Sequence, residues 1–199
     1  MSGAFLIPLL AFVVGFAGPT YADEPNDPFG KNTIEVNEGS LETIWKSVRQ
    51  QLLNERLQIA FCIECPEVAE LRSIVKEARQ NEGKALLGHL NRSINLMIKL
   101  KSGDWVGALE AMQSRSGDCK SYSIAKYVAA LEAGIPSSRI RLVIVHNRRR
   151  HQDHMVAAIY DKEQWLILDN LTMLVLRDSE KTDYEPMFVL DDTGVRRYF

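Results

Sequence analysis

The sequence predicts an α+β domain in which a helical layer packs on an antiparallel sheet. From about residue 40 to residue 134, apolar side chains recur at three- and four-residue steps, which lines one face of a helix. After Pro136, apolar side chains lie in short runs separated by polar turns, as in strands that pair with their neighbours. Helices that come first and strands that come second are typical of the α+β class.

The size and charge of the chain narrow the classes of partner. Its 199 residues suit one domain that is large enough to bury a core, predicted here over residues 39–199. The formal net charge is −2, so overall charge gives no reason to expect nucleic acid or an anionic membrane as a partner.

Residues 1–22 differ from the rest because they carry no charged side chain. The apolar run from Ala4 to Ala17 is too short to span a bilayer comfortably, and small residues follow at Thr20 and Ala22. This pattern predicts a signal peptide cleaved after Ala22, hence a periplasmic or secreted protein. The alternative is an uncleaved anchor, because the segment has no Lys or Arg ahead of its apolar core.

The elements follow in order. Residues 23–38 are acidic and proline-containing and predict a flexible lead-in, after which Ser40 is a plausible N-cap for a helix that runs to about Phe61. Three more helices are expected from Pro66 to near Gly83, from Ala85 to Leu100, and from Asp118 or Cys119 to Gly134. A loop is expected over residues 101–117.

The second half predicts strands and hairpins. The strands are expected at "RIRLVIVH", "HMVAAIY", "QWLILDN", "EPMFVL" and "VRRYF". The polar loop "NRRRHQD" between the first two contains the basic run Arg148–His151. Such a run is usually a solvated loop, and the alternative is a role in steering an acidic substrate or partner.

Cys119 stands alone, whereas the other two cysteines lie together in "CIEC". A helix that begins at Cys119 places unpaired amides and the positive end of the helix dipole near the sulfur, which favours the thiolate nucleophile. Lys120 beside it acts in the same direction. A nucleophilic cysteine also needs a base and a group that orients the base.

His154 and Asp169 can supply these two groups. Of the four histidines, only His154 follows a polar loop and begins an apolar strand, and Asp169 ends the next strand. A two-residue turn that pairs Tyr160 with Glu163 places His154 directly across from Asp169, and other turn lengths shift the partner by one or two residues. The sequence thus predicts a Cys119–His154–Asp169 triad of the papain-like type.

The segments "GDCKSYSIAKYVAALEAGIPSSRIRLVIV", "HMVAAIY" and "WLILDN" resemble the bacterial transglutaminase-like cysteine proteinases, as does "DWVGALEAM" upstream. The resemblance covers about residues 91–170. It implies a transglutaminase-like, papain-like fold, the same triad, and an exported peptidase that cleaves a protein or peptide. In the LapG-type periplasmic members the substrate is a surface adhesin, and a regulatory protein partner is a further candidate.

The resemblance also implies a calcium site formed by acidic residues on both sides of the nucleophile. Asp118 matches, but Lys120 stands where the second acidic residue is expected, and an ammonium group repels calcium. The thiol chemistry requires no cofactor. Calcium is therefore kept only as an alternative that would use Asp118.

Trp105 and Gln113 precede the nucleophile and are candidates for lining the cleft or donating to the oxyanion beside the Cys119 amide. Trp105 is equally well explained as a packing residue. The predicted activity is hydrolysis of an amide bond through an acyl-enzyme. The alternatives are an acyl transferase, in which an amine replaces water, and a binding module of the same fold that has lost turnover.

Cys62 and Cys65 have three interpretations. In an oxidising compartment a structural disulfide that ties the first two helices is favoured. A redox-active pair normally lies in a thioredoxin-type βαβ pattern, which this region lacks. A zinc site needs two more ligands, and none falls at a useful spacing.

Overall fold

The computed structural model describes residues 25–199, in which helices cover one face of a seven-stranded sheet. This confirms the predicted α+β class. The helices are α1 (Ser40–Phe61), α2 (Pro66–Ala78), α3 (Gly83–Met97), α4 (Ala108–Ser114) and α5 (Cys119–Glu132). The strands are β1 (Thr33–Val36), β2 (Lys99–Leu100), β3 (Ser116–Gly117), β4 (Ile140–Asn147), β5 (Gln152–Asp161), β6 (Gln164–Leu168), β7 (Leu176–Arg177), β8 (Tyr184–Leu190) and β9 (Val195–Tyr198).

The large sheet has the order β1-β9-β8-β4-β5-β6-β7, and all its neighbours are antiparallel. Because successive side chains of a strand point to opposite faces, β5 contributes to two apolar clusters. Ala157 and Ile159 pack in the main core with the helices, whereas Val156 and Ala158 belong to a second cluster on the other face. Strand β5 lies inside the sheet between β4 and β6, and α5 packs against it.

The prediction of a flexible lead-in over residues 23–38 is wrong for residues 33–36, which form strand β1. Thr33–Val36 pairs antiparallel with β9, so that Thr33 lies opposite Tyr198. Asp27, just before this strand, accepts hydrogen bonds from Arg196 and Arg141. These partners lie more than a hundred residues away in the sequence, so local composition gave no sign of them. The expected signal peptide, residues 1–22, lies outside the described residues.

The expected loop over residues 101–117 contains helix α4 and strand β3, the latter parallel to β2. Glu55 of α1 caps α4, because its carboxylate accepts hydrogen bonds from the backbone N–H groups of Ala108 (2.9 Å) and Leu109 (3.1 Å). A side chain at Gly107 would place its Cβ 2.1 Å from the Glu55 carboxylate, so this cap requires glycine. A cap from another helix explains why the local sequence did not predict α4.

Two helix ends also differ from expectation. Gly39, with φ of 114°, is the N-cap of α1 and Ser40 is its first residue. Helix α3 begins at Gly83 and stops at Met97, since Lys99 and Leu100 turn into strand β2. Within residues 25–199, no helix is both long and apolar enough to cross a bilayer.

Candidate active site

Cys119 is the first residue of α5, and its thiol is free and half-buried. Asp118 is the N-cap, with a carboxylate oxygen that accepts from the N–H of Lys120 at 3.0 Å. Gly117 must be glycine, because a Cβ there would lie 2.3 Å from the Cβ of Ser121. The helix is tied to β5 by Ser123, whose hydroxyl donates to the backbone carbonyl of Met155 at 2.9 Å. This bond fixes the start of α5 beside His154.

His154 and Asp169 lie in direct contact. The ring Nε2 of His154 donates to Asp169 Oδ1 at 2.8 Å, and the two residues are 4% and 1% exposed. Cys119 lies near enough to the same ring to raise the pKa of His154. The structure therefore brings together the three residues that the sequence predicted to act together.

The strand register differs from the expected one by two residues. Lys162 and Glu163 form the turn with positive φ angles of 47° and 62°, and Asp161 pairs with Gln164. Extending this register places Asp169 beside Val156 instead of directly across from His154. A shift of two residues keeps the same face of the sheet, so the carboxylate still reaches the imidazole.

Opposing effects set the charge states of this pair. Burial lowers the pKa of His154, but the hydrogen bonds and charges of Asp169 and Cys119 outweigh burial and raise the pKa to about 9. Burial favours a higher pKa for Asp169, but the bonds from His154, Tyr184 and the Leu171 N–H hold it well below its usual range. At neutral pH the pair is an imidazolium against a carboxylate.

Two side chains that the sequence did not single out hold the other oxygen of Asp169. The Lys181 ammonium lies 3.1 Å from Asp169 Oδ2, and the Tyr184 hydroxyl donates to the same atom at 2.5 Å. Lys181 follows the polar stretch "RDSE" and Tyr184 begins β8, so neither stands in a recognisable motif. On α3, Asn95 donates to the Asp169 backbone carbonyl at 2.9 Å, which further fixes this turn.

Lys126 is a second cation close to the site. It lies on α5 two turns after Cys119, is 0% exposed, and its Nζ has no hydrogen-bond partner among residues 25–199. Burial lowers the pKa of Lys126 to about 7, against the opposing charge of Asp169. The nearest aromatic contact is the ring of Tyr122, 5.8 Å from the amine.

The other predicted residues lie in different surroundings. Trp105 is half-buried and packs against the main core, and Gln113 is exposed on α4, where it lines a groove with residues of α1. Their oxyanion role stays a prediction. Cys62 and Cys65 are joined by a disulfide with Cα atoms 5.9 Å apart, which links the end of α1 to the start of α2.

The basic run Arg148–His151 is exposed at the β4–β5 turn. The side chain of Asn147 orders this turn, because its oxygen accepts from the N–H groups of Arg149 (3.1 Å) and Arg150 (3.2 Å). Arg148 donates to the backbone carbonyl of Thr182. The run therefore lies beside the segment that carries Lys181.

The surroundings of Asp118 do not fit calcium. Its second carboxylate oxygen is bound by the Lys120 ammonium, so a cation already occupies the place of a metal. Calcium takes six to eight oxygen ligands. Residues 25–199 contain no group of three or more acidic, histidine or cysteine side chains placed to hold a metal ion.

Comparison with known proteins agrees with this geometry. The family model described as "Bacterial transglutaminase-like cysteine proteinase BTLCP" matches residues 57–193, more than half of the chain. No curated protein sequence matches. Among solved structures, Legionella pneumophila LapG is similar, with 21% identity, a TM-score of 0.60, and coverage of 80% of this chain and 88% of that one.

The calcium-bound form of that protein gives the same values, and the EGTA-treated form has 23% identity, a TM-score of 0.60 and coverage of 80% and 86%. At these identities the structural likeness shows the fold. The family match spans Cys119, His154 and Asp169. The chain therefore belongs to the bacterial transglutaminase-like cysteine proteinases and is a cysteine peptidase.

Proposed function

We propose that this chain is an exported peptidase in which Cys119, His154 and Asp169 form the catalytic triad. The observation that carries the proposal is the position of the His154 ring, which bonds Asp169 through Nε2 at 2.8 Å and lies near enough to Cys119 for that residue to raise the pKa of His154. A nucleophile, a base near it and a group that orients the base are the parts of covalent catalysis. Because the carboxylate occupies Nε2, Nδ1 is the nitrogen left for the sulfur.

In the proposed reaction the sulfur of Cys119 starts as a thiolate paired with the His154 imidazolium. The thiolate attacks the carbonyl carbon of a peptide bond and forms a C–S bond, while backbone amides at the start of α5 hold the oxyanion. His154 gives its proton to the leaving nitrogen as the C–N bond breaks. His154 then takes a proton from water, and the resulting hydroxide attacks the thioester and releases the acid and the thiolate.

Asp169 has a positioning and electrostatic role in this scheme. It accepts the Nε2–H of His154, so the ring presents its other nitrogen to the sulfur and its positive charge is stabilised. With the pKa of His154 raised to about 9, the imidazolium persists through neutral pH.

The proposed location is the periplasm or the cell exterior, and the proposed substrate is a surface or periplasmic protein. The uncharged apolar segment over residues 1–22 and the resemblance to LapG-type proteases support both. Sequencing the N-terminus of the protein recovered from its native host tests the location. A mature chain that begins at Asp23 is expected, and one that begins at Met1 would contradict export by cleavage after Ala22.

The chemistry is tested by comparing the native host with a Cys119→Ala strain. We expect one exported protein to change length between the strains, and purified wild-type protein to restore the shorter form. A Cys62→Ser/Cys65→Ser double variant is the control, and it should keep the cleavage. An unchanged set of exported proteins would count against the peptidase role.

Two further measurements separate the alternative functions. Iodoacetamide should label Cys119 at pH 6 much faster than it labels a free thiol in solution, whereas an inactive binding module would show no such excess. With a primary amine present during cleavage, hydrolysis should remain the main outcome. Amine incorporation above hydrolysis would instead identify an acyl transferase.

A further inference from the structure

The carboxylate of Asp169 uses its two oxygens differently. Oδ1 accepts from His154 Nε2 at 2.8 Å and from the Leu171 N–H at 3.0 Å. Oδ2 accepts from Lys181 at 3.1 Å and from the Tyr184 hydroxyl at 2.5 Å. Oδ1 thus binds the His154 ring, whereas Oδ2 binds the Lys181 ammonium and the Tyr184 hydroxyl.

Lys181 and Tyr184 also support each other. The Lys181 ammonium lies 4.1 Å from the centre of the Tyr184 ring, which is within the range of a cation–π contact. The same ring meets the edge of the His154 ring, with centres 5.9 Å apart. The backbone N–H of Tyr184 donates to the Lys181 carbonyl at 3.0 Å, which fixes the spacing between the two side chains. We call these two residues the Asp169 clamp.

We infer that the Asp169 clamp sets how much negative charge the carboxylate presents to His154, and thereby sets the upper pH limit of the imidazolium. A cation on Oδ2 competes with the imidazolium for the charge of one carboxylate, and the Tyr184 hydroxyl stabilises that charge by a hydrogen bond. Both effects make His154 easier to deprotonate than it would be beside Asp169 alone. Lys181 and Tyr184 are therefore positioning residues. The relevance of this inference to catalysis rests on the proposed function.

Other charges act on this cluster from the elements around it. Helix α3 contributes the neutral amide of Asn95. The titratable and charged groups are Cys119 and Lys126 of α5, Lys181 and Asp183 before β8, Tyr184 of β8, and Arg150 of the β4–β5 turn. Lys181 and Tyr184 are the ones that hydrogen-bond to Oδ2, so their removal gives the most direct test.

The test follows the ionisation of His154 by NMR of the labelled imidazole as a function of pH, in the wild type and in Lys181→Met. The wild type should titrate near pH 9. Lys181→Met should raise the midpoint by about half to one pH unit, because a competing cation is lost. Lys181→Arg keeps the charge and should restore the wild-type midpoint. Lys76→Met, an exposed change of the same charge on α2, should leave it unmoved.

Tyr184→Phe provides a second variant that removes only a hydroxyl, in case Lys181→Met does not fold. It should shift the His154 midpoint in the same direction by a smaller amount. A midpoint that stays unchanged or falls in both variants would overturn the inference. A residue with a merely structural role would lower stability without moving this midpoint.

Iodoacetamide labelling of Cys119 at pH 6 distinguishes failure of the clamp inference from failure of the proposed function. A raised His154 midpoint together with slow labelling would support the clamp and contradict the enzyme. Fast labelling together with an unmoved midpoint would support the enzyme and contradict the clamp.

Discussion

Among residues 25–199, two clusters of buried aspartates have different partners. Asp169 is bound by His154, Lys181 and Tyr184. Asp191, together with Asp27 from the N-terminal segment, is bound by two arginines: Arg196 lies 2.7 Å from Asp191 and 2.8 Å from Asp27, and Arg141 lies 3.0 Å and 3.2 Å from them. Asp169 and Asp191 are each 1% exposed, and the side chain of Asp27 is 9% exposed.

The difference lies in which partner can release a proton. Burial lowers the pKa of Arg196, but the two aspartates outweigh it and raise the pKa above its ordinary value, so the guanidinium stays charged. The pKa of His154 is raised to about 9, within reach of solution conditions. The arginine cluster therefore fixes the sheet edge, whereas the histidine cluster can exchange a proton.

The largest expected effect comes from breaking the histidine cluster. Asp169→Asn should lower peptidase activity about 10³- to 10⁴-fold, because the imidazolium loses its counter-charge and its preferred tautomer. The measurement is cleavage of the exported protein found by the Cys119→Ala comparison. Asp153→Asn, an exposed change near His154 in the sequence, is the control and should remain active. Full activity in Asp169→Asn would remove Asp169 from the triad.

Breaking the arginine cluster should cost stability instead of chemistry. Arg196→Met leaves two buried aspartates with one arginine, and its free energy of unfolding should fall by about 3–5 kcal/mol. Arg197→Met, next to it on β9 but exposed, should change stability by at most about 0.5 kcal/mol. Urea unfolding of both variants checks this. Equal losses in the two would mean that burial of the cluster does not matter.

Lys126 extends the contrast between the two clusters, because it is a buried amine to which no carboxylate of residues 25–199 is bonded. A pKa of about 7 in the folded state, below the ordinary lysine value of 10.5, means that the unfolded chain binds the proton more tightly. The buried amine therefore lowers the free energy of unfolding by the full amount below pH 7 and by less as the pH rises toward 10.5. Above pH 10.5 the effect vanishes. Lys126→Met should therefore stabilise the fold by on the order of 3 kcal/mol at pH 6.

Urea unfolding at pH 6 and pH 9.5 measures this difference. The gain from Lys126→Met should be smaller at pH 9.5, and Lys76→Met should show neither the gain nor its pH dependence. A loss of stability at pH 6 would instead mean that the Lys126 charge is compensated inside the protein.

The smallest effect is expected at the disulfide, which lies outside both clusters. A Cys62→Ser/Cys65→Ser variant opens a very short loop, so its stability should fall by about 2 kcal/mol or less. Cleavage activity at a permissive temperature should be unchanged. Thermal unfolding with and without a reductant checks the first expectation, and a loss of activity in the folded variant would revive the redox interpretation.

The sequence predicted those parts of the fold that depend on local pattern. Helix α5 could be placed because Gly117 and Asp118 precede an apolar stripe, and β4 to β6 because apolar runs alternate with polar turns. The proposed triad of Cys119, His154 and Asp169 follows from these placements. The observed turn lies one residue later than the expected one, so the register differs by two residues and Asp169 stays on the same face of the sheet.

The missed features depend on contacts between distant residues. Helix α4 is capped by Glu55, some fifty residues earlier, and β1 pairs with the last strand of the chain. Lys181 and Tyr184 lie 12 and 15 residues after Asp169, and β7 with the turn that follows it separates them from Asp169 in the sequence. A single sequence carries no local signal for such partners.

The pairing of β1 with β9 has a practical consequence for anyone who produces this protein. A shortened version that starts at Gly39, where the first long helix is about to begin, would lack both the edge strand and Asp27. The backbone N–H and C=O groups of β9 that pair with β1 would then be free to pair with strands of other molecules. Arg141 and Arg196 would share Asp191 alone. Expression of such a version is expected to yield aggregated protein, even though every residue near the Cys119 sulfur is present.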